Sequence, residues 1–304
     1  MDKVRVIVPA STTNLGPGFD VLGMALNLYN VFEVGINESN KIQIEVEGEG
    51  SDILPRDESN LVYECAKKVF DKIGEKTPPL NIRIINNIPL ARGLGSSGTA
   101  IIGGLMSVNA LSGNQLTEQE ILNLATEIDG HPDNVSASIL GGVVISAQTN
   151  NGIAYMKLDM PKKLTVVAVV PDFHIKTTDA RELLPKTVDI QTAVFNISRA
   201  SLLVAGLATG DFRLLDISMQ DKLHQPYRAK LIPGIYDVFE SAKAVTENVA
   251  VTISGAGSTI SAFCYDTDAC AIGESMCKAF MKHNVKSYPL ILDIDQEGTR
   301  VIRL

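Results

Sequence analysis

A proline-entered, glycine-rich turn that opens straight into an apolar helix constrains this chain more than any other stretch. Ile88–Leu111 reads IPLARGLGSSGTAIIGGLMSVNAL. Gly93, Gly95 and Gly98 let the backbone turn tightly, and the small-residue pattern beyond them predicts a helix from Ser96 to Leu111. Free N–H groups converge at such a helix start, and the helix dipole adds partial positive charge, so the device suits an anion. Ser96, Ser97 and Thr99 add hydroxyls that can donate to phosphate oxygens or ligate Mg²⁺. The stretch is not a Walker A loop, since no lysine lies between Arg92 and Thr99. It spells G-x-G-x-x-G, yet its flanks lack the parallel βαβ unit of a dinucleotide site. Taken alone, a plain tight turn with capping serines stays open.

Three further stretches concentrate chemistry. In Pro9–Asp20, Gly16-Pro17-Gly18 forces a bend that sets Asn14 and Asp20 around it. That amide and carboxylate can take a hydroxyl and an ammonium, or Asp20 can cap a following helix while Asn14 bonds its own turn. In Glu127–Asn134, three acids and His131 gather at a helix exit. One acid here could complete a Mg²⁺ site with a loop serine, because Mg²⁺ takes few protein oxygens and leaves the rest to phosphate and water. His131 and Asp133, two apart, can face one site; an ordinary polar helix end is the alternative. Ser254–Thr259, SGAGST, lies between two strand-like runs, and Gly255, Gly257 and Ser258 suit a supporting loop or a plain hairpin turn. Arg181 and Arg228 sit in loop-like sequence, and carboxylate binding is the usual reason to bury an arginine.

The remaining pattern predicts an α+β chain. Lys3–Val8 reads as a strand ending at Pro9, and Leu28–Ile36 and Lys41–Glu47 as antiparallel strands. Ser59 caps a helix to about Ile73, closed by Gly74, and Leu80–Asn86 is a strand. Thr117-Glu118-Gln119-Glu120 is a capping box for a helix that stops at Asp129–Asn134. Strands follow at Val143–Ala147 and Ile153–Leu158. Pro161-Lys162-Lys163 divides the chain into 1–160 and 161–304. Beyond it come strands Leu164–Val170, Val249–Ile253, Ile260–Tyr265 and Lys286–Ile294. Helices are predicted at Ile190–Ala208, Gly234–Val245 and Ala269–Lys282.

Composition excludes some partners. A net charge of −8 argues against nucleic acid and anionic membranes, which reward a basic face. No window reads as the roughly 18 apolar residues of a membrane span. Cys65, Cys264, Cys270 and Cys277 form no CxxC pair, which fits reduced thiols in a cytoplasmic protein, and no zinc-type Cys/His spacing occurs.

Together these motifs resemble the GHMP small-molecule kinases, a family that includes galactokinase, mevalonate kinase and homoserine kinase. The family pattern Pro-x-x-x-Gly-Leu-Gly-Ser-Ser is met by Pro89-Leu90-Ala91-Arg92-Gly93-Leu94-Gly95-Ser96-Ser97. The likeness is closest to the homoserine kinase branch, through Pro9–Asp20, Gly130–Val135 and His224-Gln225-Pro226-Tyr227-Arg228. It implies an N-terminal domain like the second domain of ribosomal protein S5 and a ferredoxin-like C-terminal domain. It implies ATP bound along Pro89–Thr99, with Gly98 and Thr99 completing the loop. It implies transfer of the γ-phosphoryl group to the side-chain hydroxyl of L-homoserine, on the route to threonine.

By the same likeness Asn14, Asp20, His131, Asp133, Arg181 and Arg228 line the amino-acid site. Asp20 suits the ammonium and the arginines the α-carboxylate. Asp133 and His131 are the candidates for work on the hydroxyl, with Asp133 either a base or an orienting group. Mg²⁺ would sit between Ser96 or Ser97 and an acid: Asp129 by its place beside Gly130, or Glu127 by its longer side chain. Other family substrates (mevalonate, a sugar, shikimate) and a non-catalytic metabolite binder are the rival readings, and a homodimer is left open.

Overall fold

Apolar residues at every second position set the strands, and their pairing sets the architecture. The computed structural model describes residues 3–37, 39, 41–161, 163–265 and 267–304, so Lys162 of the expected boundary lies outside it. The first sheet holds β1 (Lys3–Thr13), β2 (Leu22–Ile36), β3 (Gln43–Gly48), β4 (Leu80–Asn86), β5 (Val143–Thr149) and β6 (Gly152–Leu158). β1, β4 and β5 pair antiparallel with β2, and β6 pairs with β5. Four helices cover it: α1 (Leu61–Ile73), α2 (Ser96–Leu111), α3 (Glu118–Asp129) and α4 (Pro132–Leu140). Their apolar faces meet the sheet around Phe32, Val69, Ile102, Leu105 and Leu122, all fully buried.

The second sheet is formed by β7 (Thr165–Pro171), β8 (Val249–Ile253), β9 (Ile260–Cys264) and β10 (Ser287–Asp293). Its order is β10-β7-β9-β8, all antiparallel. Around it run α5 (Thr177–Glu182), α6 (Ile190–Thr209), α7 (Leu215–Ser218), α8 (Gln225–Arg228), α9 (Ile235–Lys243) and α10 (Ala269–Lys282). That order is the ferredoxin-like one. β7 is apolar on both faces because it is buried on both. Val166, Ala168 and Val170 meet the first sheet's Met24, Leu26 and Leu94 side, whereas Val167 and Val169 meet Ile235, Ile272 and Phe280. A last strand, β11 (Arg300–Arg303), returns to pair with β1.

Several local expectations are corrected. β1 runs through Pro9 to Thr13, with its register shifting at Pro9/Ala10, because proline's missing N–H falls at an irregularity in the ladder. β3 does not pair with β2; it lies parallel to β4, at the sheet edge. Asn60, not Ser59, caps α1, its side chain accepting from the Val62 amide. No helix follows Asp20, since β2 begins at Leu22. Arg181 and Arg228 stand on the short helices α5 and α8 rather than in loops. By length and composition alone α6 reaches the threshold for a membrane span, contrary to the sequence reading; one such helix is weak evidence, and Asn196, Leu203 and Leu207 pack its inner face into the protein.

Candidate active site

Three of the four singled-out stretches are knitted together by backbone. The end of β1 runs beside the glycine-rich loop, and the Ser11 amide donates to the Leu94 carbonyl at 3.2 Å. The loop between β8 and β9 closes from the other side. Thr259 N donates to Arg92 O at 3.0 Å, Gly255 N to Thr13 O at 3.3 Å, and the Ser254 hydroxyl to Gly93 O at 2.6 Å. A Cβ on Gly93 would stand 2.1 Å from the Ser254 carbonyl, so only glycine admits this approach. Gly255 and Gly257 line the cavity described below, while Ser258 turns away and donates to Phe173 O at 2.6 Å.

At the start of α2, Gly95 (φ 74°) is the N-cap and offers no side chain, so no side-chain oxygen takes the amides of the first turn. These amides and the helix dipole form an anion cradle. Ser96 and Ser97 line the same space. Other expected loop residues serve the fold. Leu94 is fully buried in the seam between the sheets, and Pro89 is buried away from the cavity. The Thr99 hydroxyl donates to Ser96 O at 2.7 Å and accepts from Asn30 Nδ2 at 2.9 Å. Leu90, Ala91, Arg92 and Gly98 line the cavity.

The acidic stretch resolves by secondary structure. α3 ends at Gly130, His131 is extended as the N-cap of α4, and Pro132 opens that helix with Asp133 in its first turn. Asp129, His131 and Asp133 face the cavity; Glu127 is exposed and does not. Burial pushes the Asp129 carboxyl up to about 6, and no hydrogen bond or ion pair to it is formed among the described residues. Burial, with the Asp20 charge second, pushes Asp133 up to about 7, although it accepts from the Asn134 amide at 2.9 Å. Burial lowers the His131 pKa, against the pull of Asp20, whose carboxylate is 4.0 Å away.

Across from them, Arg181 holds Asp20 with two nitrogens. The Asn14 amide is spent within the protein: its oxygen accepts from Asp20 N across the bend at 3.1 Å, and its nitrogen donates to Gly255 O of the β8–β9 loop at 3.0 Å. Arg228 is 2% exposed and donates to the same carbonyl at 2.9 Å.

All these groups border one cavity of about 630 Å³. It is also lined by Leu54, Pro55, Leu61, Val62, Ile84 and Asn86, from the approach to α1, its first turn and β4. Sequence reasoning passed over these residues, because an apolar slot uses side chains that any core uses. The cavity thus joins an apolar end, an amide-lined anion cradle and a charged end that carries both signs, the plan of a site for a nucleotide and a small zwitterion.

Comparison with known proteins agrees with that plan. Residues 60–142 match the model of the GHMP kinases N terminal domain, and residues 203–282 match that of the GHMP kinases C terminal domain. The homoserine kinase of Moorella thermoacetica is 46% identical over 281 residues, covering 92% of this chain and 94% of that protein. That of Carboxydothermus hydrogenoformans is 44% identical, covering 97% and 95%. The crystal structure of homoserine kinase from Cytophaga hutchinsonii superposes with a TM-score of 0.89 at 31% identity, covering 99% of this chain and 98% of that one.

Proposed function

Since the chain belongs to the GHMP kinase family, we propose that it transfers the γ-phosphoryl group of ATP to the side-chain hydroxyl of L-homoserine, forming O-phospho-L-homoserine and ADP. The product belongs to amino-acid biosynthesis, on the way to threonine. One observation carries the substrate assignment beyond the family. Asp20, Arg181 and Arg228 meet in the cavity that also holds the anion cradle, so ammonium, α-carboxylate and phosphate can be met at once. A sugar needs no such trio.

Each group's work follows from its chemistry. The apolar end takes the nucleobase. The first-turn amides of α2 and its dipole take phosphate oxygens, which substitutes for the missing loop lysine. Asp129 and Ser96 fit a Mg²⁺ ion, because a largely buried carboxylate with no hydrogen bond or ion pair among the described residues, and only the more distant charge of Arg181 to offset it, suits a cation beside it. When bound, that ion neutralises phosphate charge. Asp20 receives the ammonium and Arg228 the carboxylate. Asp133, with His131 beside it, aligns the hydroxyl for in-line attack. The hydroxyl oxygen bonds to phosphorus as the bond to the ADP oxygen breaks, and Asp133 accepts the hydroxyl proton. The loose transition state asks mainly for positioning and charge stabilisation. All four cysteines are free thiols, consistent with a cytoplasmic setting.

The test is ADP release by the purified protein with Mg-ATP and, in parallel, L-homoserine, mevalonate, galactose and shikimate. Release with L-homoserine alone is expected. A background rate with L-homoserine removes the assignment.

A further inference from the structure

Arg228 is a buried cation that feels the charges of Asp20, Asp221 and Asp133 only from beyond ion-pair distance. Among the described residues it forms no ion pair, and its Nε has no hydrogen-bond partner. Its Nη1 is held twice, by Gly255 O at 2.9 Å and by His224 Nδ1 at 3.2 Å. A guanidinium only donates, so Nδ1 must present a lone pair. The other ring nitrogen, Nε2, lies 2.8 Å from the Gly16 carbonyl, which only accepts, so Nε2 carries the proton. The two contacts require the same neutral tautomer. Burial favours the neutral ring too, lowering the imidazole pKa against the pull of the Asp221 carboxylate, which lies 3.6 Å from Nε2.

The ring is itself fixed from behind. The Asp221 carboxylate accepts from the amides of Leu223, His224 and Gln225 at 2.9, 2.9 and 2.7 Å, and from Asn196 Nδ2 at 2.7 Å. That set caps the entry to α8 and fixes the His224 backbone. Phe19 stacks on the imidazole, ring centroids 5.2 Å apart, and the same ring lies 5.2 Å from the Arg228 guanidinium carbon and 5.4 Å from that of Arg181. None of Phe19, Asn196, Asp221 and His224 borders the large cavity.

With Nη1 tied down, Nε, itself buried, and Nη2 are the nitrogens left without a hydrogen bond among the described residues, the pair that meets a carboxylate in a two-pronged fashion. We propose that His224 is a positioning residue for substrate selection: protonated on Nε2 by its bond to Gly16, it orients Arg228 so that this edge receives the α-carboxylate. His224 touches no substrate and acts only through the arginine. The proposal rests on the amino-acid substrate assigned above.

The test compares L-homoserine with 3-aminopropan-1-ol, the same molecule without its carboxylate, each at high concentration with Mg-ATP. Two variants separate the contacts. His224→Gln can keep the donor to Gly16 but withdraws the acceptor from Nη1; His224→Asn can keep an oxygen near the Nδ1 position. For His224→Gln we expect kcat/KM on L-homoserine to fall about tenfold or more, mostly in KM, for one lost charge-assisted contact. Turnover of the amino alcohol and the KM for ATP should stay within about twofold, the latter also reporting an intact fold. His224→Asn should recover most of the preference for the carboxylate. Equal losses on both substrates, or no loss on L-homoserine, would overturn the proposal. A wild-type protein inactive on L-homoserine would remove the substrate assignment, and this inference with it.

Discussion

Arg181 grips the Asp20 carboxylate with both terminal nitrogens, at 2.6 and 3.2 Å, across 161 positions of sequence. Both side chains keep about 30% of their surface exposed, so the pair is accessible to an incoming zwitterion. Asp20 sits at φ 58°, a left-handed conformation that Asp and Asn tolerate better than other residues. Asp20→Asn therefore keeps the backbone and removes the charge. A charge-assisted bond to the substrate ammonium is worth about 1.5–3 kcal/mol. The KM for L-homoserine should rise about 10- to 100-fold, with the KM for ATP within about twofold. Steady-state kinetics in both substrates check this; equal losses in both would refute the role of Asp20.

Asp133 should couple activity and stability to pH in opposite directions. Burial first, and the Asp20 charge second, lift its carboxyl from the ordinary 3.8 to about 7. In the proposed reaction its ionised form accepts from the hydroxyl, so kcat/KM should climb as pH rises through 7 and level off above. Between pH 4 and 7 the folded state keeps a proton that the unfolded chain has released, so this group's contribution to stability falls as pH rises across that window. Asp133→Asn should thus be catalytically impaired yet more stable than wild type at pH 8, with the gap closing near pH 4. Urea unfolding at the two pH values, beside the rate profile, tests both halves. A variant less stable than wild type at pH 8 contradicts the burial argument.

How far the chain could be read depends on whether a signal is local. The capping box Thr117–Glu120, the Gly74 stop of α1 and the loop into α2 are each written within a few residues, and each is found. α4 is written locally too, by Pro132 at its first position and Asp133 in its first turn, but the polar run of Glu127–Asn134 reads only as the exit of the preceding helix. Pairing is different. Nothing in Gln43–Gly48 says that its partner is β4 in parallel, and nothing in Arg300–Arg303 says that it returns to β1. In the site, charged residues at bends stood out, whereas Leu61 and Val62 looked like any helix core. The partners of Arg228 are His224, four residues before it, and Gly255 and Phe19 from distant segments, so only the fold completes the set.

The choice between two acids as Mg²⁺ ligand is a choice between two faces of one helix end. Asp129 borders the cavity without a hydrogen-bond partner among the described residues; Glu127 is exposed outside it. Asp129→Asn should raise the free Mg²⁺ needed for half-maximal rate about tenfold or more, and Glu127→Gln should leave it within about twofold. Because burial lifts Asp129 to about 6, wild type should need more Mg²⁺ as pH drops through 6, and Asp129→Asn should lose that dependence. Rates against free Mg²⁺ at fixed ATP decide it. A larger effect from Glu127→Gln would transfer the ligand role to Glu127.

Gly95 and Gly74 share a backbone conformation but not a setting, which separates strain from function. Their φ values are 74° and 76°, so a Cβ at either costs about 1–2 kcal/mol. At Gly74 a Cβ meets nothing within 4 Å, whereas at Gly95 it would stand 2.2 Å from the Ser11 hydroxyl oxygen. That hydroxyl cannot yield freely, being bonded to Asn134 Oδ1 at 3.0 Å. Gly74→Ala should lower Tm by about 2–4 °C and leave both KM values unchanged. Gly95→Ala should lower Tm further and also tilt the first-turn amides of α2, raising the KM for ATP about tenfold or more. Thermal unfolding together with ATP titration reads both. A Gly95→Ala protein that is destabilised but keeps its wild-type KM for ATP would show that these amides do not hold the phosphates.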